Sequence, residues 1–388
     1  MKRIPKPIAR TSRYRKALAE FAILTAAILS PVFELRVMAQ SPSTCTLDRA
    51  KGTTIDSEPF MRNAWGSHWN LATNRVAYMQ QNAKGYYRIF TVSPNGGTPQ
   101  AITEGQPGLP PDRHQGLLSW YPSGRYLLFA AEKPEFSGAT QFGDPDYEAM
   151  PGFGQHNDLW LITADGRRSW QLTHEPDTKD QGIAIPSFSP DGKHIAWTSH
   201  EPGGRHVLKV ADFVEVPEPH LENIRTFQPG GGNFYESGAF TSDSKGLTYT
   251  GDQDTHNFLF SQIYILDLAT GKATRLTHGN DFNELPVVVS TPAGDWIVYM
   301  SSKGVDRFPS QSKLAVGTDW YAMKTDGSGA KRLSTMNVNR KENPENAGYT
   351  QVACTVAVGP SGDLALGDVL DSVAKQTGMI RRVHFICP

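Results

Sequence analysis

The side chains that could do chemistry in this chain do not gather into a compact motif. Gly251-Asp-Gln-Asp-Thr-His256 comes nearest. Asp252, Asp254 and His256 alternate along it, and alternating oxygen ligands suit a hard divalent cation such as calcium. The downstream bidentate glutamate of a helix-loop-helix calcium site is missing, so a solvated hairpin with no cofactor competes with that reading. His114, Glu236 and Glu284 are the candidates for acid–base work, His114 standing beside Arg113 and Glu284 beside Asn283. No Cys/His cluster has zinc spacing. No Gly-x-Ser-x-Gly elbow mounts a serine nucleophile, and no glycine-rich phosphate loop occurs.

Positioning these residues falls to a repeat that runs through the chain. An aromatic or apolar residue, a turn of the Ser-Pro-Asp-Gly kind and an apolar run ending in an aromatic recur as Trp120 to Phe129, Phe188 to Trp197, Phe240 to Tyr249 and Ser290 to Tyr299. Weaker copies lie at Trp69 to Tyr78 and Val358 to Leu366. Each copy reads as two antiparallel strands joined by a tight turn, with Pro presetting one dihedral and Gly accepting positive φ. A third strand and a fourth ending in Leu-Thr follow, as at Asp158 to Thr173 and Gln262 to Thr277. Four strands per unit of about 50 residues, six times over, predict an all-β, six-bladed β-propeller of four-stranded antiparallel blades.

At these residues the chain resembles the periplasmic TolB-type propellers and the wider family of WD40-like repeats built on a Ser-Pro-Asp-Gly core. The resemblance covers roughly residues 60 to 388 and lacks the Gly-His and Trp-Asp signatures of true WD40 repeats. It implies a TolB-like ring and a place in a cell-envelope assembly. It says little about activity, because propellers of this kind serve as binding scaffolds, as enzymes and as gates on hydrolases. Oligogalacturonate lyases carry related repeats, which implies an alternative: a carbohydrate-active lyase or hydrolase with its site at the channel mouth.

Residues 1–39 read as a signal peptide. Seven Lys and Arg precede an apolar core from Phe21 to Phe33, and Val37-Met-Ala39 offers the small residues read at cleavage. The expected product is a periplasmic or secreted propeller domain over 40–388, with no transmembrane segment, acting as a monomer. An uncleaved anchor is disfavoured, since the stretch is shorter than the ~20 residues of a membrane span. Of 38 Lys/Arg and 39 Asp/Glu, eight and two lie in residues 1–39, leaving 30 against 37 and a net charge of −7. That balance argues against nucleic acid as a partner.

Three cysteines in an exported chain invite a disulfide. If the N-terminal segment Thr44 to Arg49 adds to the last blade as its outer strand, antiparallel pairing with Met379 to Ile386 sets Cys45 beside Cys387. Cys354 then remains a buried thiol; pairing of Cys354 with Cys387 is the competing reading, and a lipid-modified Cys45 is disfavoured by Pro42-Ser-Thr44.

Nine positions before Pro122, Pro190, Ser242, Pro292 and Pro360 stand Arg113, Gln181, Asn233, Asn283 and Gln351, with Arg62 or Asn63 in the first blade. These amides and arginines are expected to ring the channel mouth, either satisfying loop backbone groups or presenting donors to a ligand. Long loops from the second to the third strand, at 132–157, 251–261 and 302–318, open on the same face, which also carries His156, Asp144 and Asp146. Loops on a rigid scaffold are where binding concentrates. The expectation is a binding scaffold for an envelope protein or oligosaccharide ligand, without catalysis.

Overall fold

Each turn phrase closes a hairpin through side chains that substitute for backbone partners. In blade 3 the Ser189 hydroxyl accepts from His194 N at 2.9 Å and donates to Asp191, whose carboxylate accepts from Lys193 N at 3.0 Å. Gly192 follows with φ 72°, and a Cβ there would lie 2.8 Å from the Tyr121 hydroxyl of the neighbouring blade. Blade 4 repeats the device with Thr241 and Asp243, and Ser244 takes the left-handed position.

The Leu-Thr ending has an equally local cause. The hydroxyls of Thr103, Thr173, Thr277 and Ser334 accept from Ile89, Leu159, Ile263 and Trp320 N at 2.9–3.0 Å. Three of them also donate to a residue at the start of the third strand, Asp158, Gln262 or Asp319. Asp158 then accepts from Glu175 N and Asp319 from Met336 N, while Gln262 donates to Asp281 O. One hydroxyl thus ties the third strand to the fourth and, through the acid or amide, to the loop that leads into the next blade.

The computed structural model describes residues 45–134, 148–178, 180–305, 316–337, 351–371 and 378–388. Its strands form six four-stranded antiparallel sheets. Their inner strands are Ala64–Asn70, Gln115–Trp120, Gly182–Phe188, Tyr235–Phe240, Asn283–Thr291 and Gln351–Val358, which touch one another in cyclic order. The chain is a six-bladed propeller. Between blades lie apolar clusters, such as Ala196, Leu208 and Val210 of blade 3 against Tyr235, Leu247 and Tyr249 of blade 4. Burying both faces of every sheet in this way is what makes four-stranded units stable.

The last blade takes its outer strand from the other end of the chain. Gly52–Arg62 pairs antiparallel with Gly378–Ile386, from Gly52 opposite Ile386 to Arg62 opposite Met379. The segment expected as that strand, Thr44 to Arg49, does not form it: its described residues, from Cys45 on, make a turn closed by Arg49 N and Ala50 N on Thr46 O. Cys45 and Cys387 are disulfide-bonded with their Cα atoms 5.6 Å apart, and Cys354 is a buried free thiol.

Candidate functional site

Every inner strand breaks its pairing at one point; in blades 1, 2, 3 and 5 these points share a register, and in blades 4 and 6 the break is displaced by one residue. Counting back from Trp69, Trp120, Phe188, Phe240, Val288 and Val358, the third residue is Gly66, Leu117, Ile185, Ser237, Leu285 or Thr355. All six line the central cavity, which holds about 240 Å³. In four blades this residue is left-handed, with φ of 66° at Gly66, 51° at Leu117, 48° at Ile185 and 54° at Leu285. A bulge of this kind re-aims a side chain that the strand would otherwise carry along its face. For a β-branched residue such as Ile185 the conformation costs about 1–3 kcal/mol and persists only where the surroundings enforce it.

The wall so formed is uneven. Trp65, Tyr87, Leu117, Leu118 and Ile185 make it apolar through blades 1 to 3, where Met150-Pro151-Gly152-Phe153 reaches in from the long loop of blade 2. Blades 4 to 6 add Glu236, Ser237, Glu284, Cys354 and Thr355, together with Leu285, Pro286 and Val287. Glu236, Glu284 and Cys354 occupy one register, four residues before Phe240, Val288 and Val358.

Burial sets the electrostatics of this wall. Burial, reinforced by Asp368 and Glu284, raises the Cys354 thiol well above its usual range, which keeps it protonated and unreactive. His68, deep in the channel, is pushed down to about 4 by burial and is neutral at pH 7. Among the described lining residues there is no lysine or arginine.

The residues expected on this face lie in several places. His114 is buried against the rings of Tyr86 and Tyr87, accepts from Tyr87 N at 3.2 Å through Nδ1, and stands outside the cavity lining that Glu236 and Glu284 share. Arg113 binds the loop: its Nε meets Lys133 O at 3.1 Å and lies 3.5 Å from the buried Glu132 carboxylate. Gln181 accepts from the Thr178 hydroxyl, and Gln351 is held through its backbone by the Asn337 amide. Asn233 is exposed, and its side chain has no hydrogen bond to the described residues.

Asn283 is buried and donates to Asp281 O at 3.0 Å. Its register is not that of the others. The blade 5 hairpin is two residues longer, turning tightly between Thr291 and Gly294, so Asp281 occupies the place equivalent to Arg113. In the Gly251–His256 loop the carboxylates diverge. Asp252 accepts from Asn233 N and Phe234 N, whereas Asp254 faces the Tyr264 hydroxyl and Arg275. Among the described residues no three His, Cys, Asp or Glu converge to hold a metal. His156 pairs with Glu148, both fully buried, at 3.2 Å. Asp144 and Asp146 lie outside the described residues.

Sequence reasoning missed the channel ring of Leu117, Ile185 and Leu285. Its signal was present five positions before Pro122 and Pro190, but strict alternation along a strand cannot foresee a bulge.

The fold and this geometry can be set beside known proteins. No family model matches the chain. Tricorn protease homolog 1 of Streptomyces coelicolor is 29% identical over 170 residues, 40% of this chain and 15% of that protein. Uncharacterized protein Atu1656 of Agrobacterium fabrum is 24% identical over 199 residues, 49% of this chain and 59% of that protein. The chain therefore spans less than two thirds of the curated relatives it matches. Among solved structures, TolB from Acinetobacter baumannii is 17% identical with a TM-score of 0.48, over 81% of this chain and 64% of that one. An oligogalacturonate lyase from Vibrio parahaemolyticus is 12% identical with a TM-score of 0.49, over 83% and 77%. These likenesses concern the fold, a TolB-like propeller, and reach no further.

Proposed function

We propose that this protein is an exported binding scaffold which takes an apolar segment of an envelope protein or other ligand into its channel mouth, without catalysis. The observation that supports this most is the ring of left-handed bulges that turns Leu117, Ile185 and Leu285 toward a cavity. Strain spent on presenting apolar side chains to a recess is explained by something that docks there. The alternative, a carbohydrate-active enzyme at the same mouth, gains Glu236 and Glu284 but loses His114, whose ring is committed between blades 1 and 2.

Export is supported by the Cys45–Cys387 disulfide, which belongs to an oxidising compartment. Among the described residues no helix is long and apolar enough to cross a membrane. We place the mature protein in the periplasm or outside the cell as a monomer, its leader removed near Ala39; N-terminal sequencing of the mature protein tests this.

The channel reading is tested with Ile185→Gly and peptides selected from a displayed random library. Glycine relieves the left-handed backbone and removes the side chain, so the melting temperature should hold or rise. Affinity for the selected peptides should fall roughly ten- to a hundredfold, the value of a buried isoleucine. A destabilised variant with intact affinity would sink the proposal.

A further inference from the structure

On the face that carries the channel mouth, a second recess of about 350 Å³ opens between blades 3 and 4. A row of rings leads into it from the buried His200. His200 stacks on His206 with centroids 4.2 Å apart and 7° between planes; His206 meets Phe234 at 5.4 Å, and Phe234 meets Phe258 at 6.2 Å. Phe234 and Phe258 are only half-buried, so part of each ring faces the recess.

Polar groups flank the row in fixed positions. Asp252 is buried, and its Oδ1 accepts from Asn233 N and Phe234 N at 2.9 Å each. Gly232 makes this approach feasible, since a Cβ there would lie 2.5 Å from that oxygen. Asp252 O accepts from Thr255 N and His256 N, which curls the loop and leaves His256 left-handed at φ 51° on the margin of the recess. The Asn233 amide and the His256 ring are exposed, and neither side chain has a hydrogen bond to the described residues.

An aromatic row with a carboxylate, an amide and an imidazole beside it is complementary to a sugar ring. The C–H face of a pyranose packs on aromatic carbon, while its hydroxyls exchange hydrogen bonds with planar amide and carboxylate groups. The sign of the charge narrows the class. Asp252 lines the recess and, among the described residues, no lysine or arginine does, which disfavours uronates and phosphorylated sugars. A metal-bridged acidic ligand is disfavoured too, because no three ligating side chains converge among the described residues.

We propose that this recess binds a neutral hexopyranose unit of an oligo- or polysaccharide, independently of the channel cavity. The test uses the full mature chain with its disulfide intact and measures binding of cellohexaose, maltohexaose and chitohexaose by calorimetry, with trigalacturonate as the acidic comparator. At least one neutral hexasaccharide should bind, more tightly than trigalacturonate and without change when EDTA is added. Phe258→Ala and Asn233→Ala should each weaken it about three- to tenfold, the loss of one ring contact or one hydrogen bond. Asn233 is exposed, so its variant keeps the test usable if Phe258→Ala fails to fold. Ile185→Gly in the channel should leave sugar binding unchanged, which separates this site from the channel reading. The proposal is overturned by no binding of any neutral hexasaccharide at about ten millimolar, by preference for trigalacturonate, by peptides competing where sugars do not, or by affinities that ignore both recess variants.

Discussion

The seam that closes the ring and the seam between blades 3 and 4 meet the same mechanical demand with different chemistry. Between blades 3 and 4, Ser237 N donates to the Thr198 hydroxyl at 2.8 Å, both groups buried. At the closing seam Asp368 takes the position equivalent to Thr198. It accepts from Ser67 N at 2.9 Å, from the Ser67 hydroxyl at 2.8 Å and from the Thr355 hydroxyl at 2.6 Å. Blades 3 and 4 are also joined by continuous chain, whereas blades 6 and 1 depend on the paired strand Gly52–Arg62 and the disulfide. A hydroxyl is neutral at every working pH. A buried carboxyl gathers more donors but carries a charge whose cost varies with pH.

Three measurements sharpen or break this contrast. The largest effect should come from replacing Cys45 and Cys387 by alanine. The bridge joins residues 342 apart in the chain, for which chain entropy allows about 6 kcal/mol at most. A denaturant midpoint unmoved by the double substitution would mean that strand pairing alone holds the seam.

Next comes Asp368→Asn. Burial pushes Asp368 up to about 6 from 3.8, against the hydrogen bonds that pull it down. The protonated form is therefore favoured by folding: its stabilisation is complete below about pH 4 and is lost as pH rises through 6, about 3 kcal/mol in all. His68 works in the opposite sense. Its pKa of about 4 against 6.5 gives stability that is present above pH 6.5 and lost as pH falls through 4, again about 3 kcal/mol. The two offset each other in the parent protein, so the readout is the difference between parent and variant. Asp368→Asn should be more stable near pH 7.5 and lose that advantage toward pH 4. A difference that stays flat across this range would remove Asp368 from the account.

The smallest effect belongs to the ordinary seam. Thr198→Val leaves Ser237 N buried without its acceptor, at a cost of about 1–2 kcal/mol independent of pH. A pH-dependent loss there would show that the two seams do not differ as described.

Much of the propeller was legible because its signals are local. The Ser-Pro-Asp-Gly turns, the Leu-Thr endings and the pairing of Cys45 with Cys387 each follow from short-range chemistry or from strand direction. What escaped was geometry that two residues can alter without changing the pattern. The extra pair in the Thr291 to Gly294 hairpin moved Asn283 out of the place that Asp281 fills, and the bulge at Leu117 and Ile185 turned residues inward that alternation would have set along the strand. The Phe234 and Phe258 rings escaped for another reason. They meet only when loops of blade 4 fold together, and no spacing in the chain announces it.

The outer strand of the last blade also sets an order of events in synthesis. Gly52–Arg62 is made long before the strand it pairs with, and Arg381 reaches Asp56 O across 325 residues of chain. Until that late segment arrives, an early strand waits with its hydrogen-bonding edge open, a template for any other extended chain nearby. Pro59 within it and the two breaks in its pairing, between Ile55 and Pro59 and between Pro59 and Met61, make it a poor such template. A ring fastened this way has to be guarded while it is incomplete, and its first strand is built with interruptions that serve as that guard.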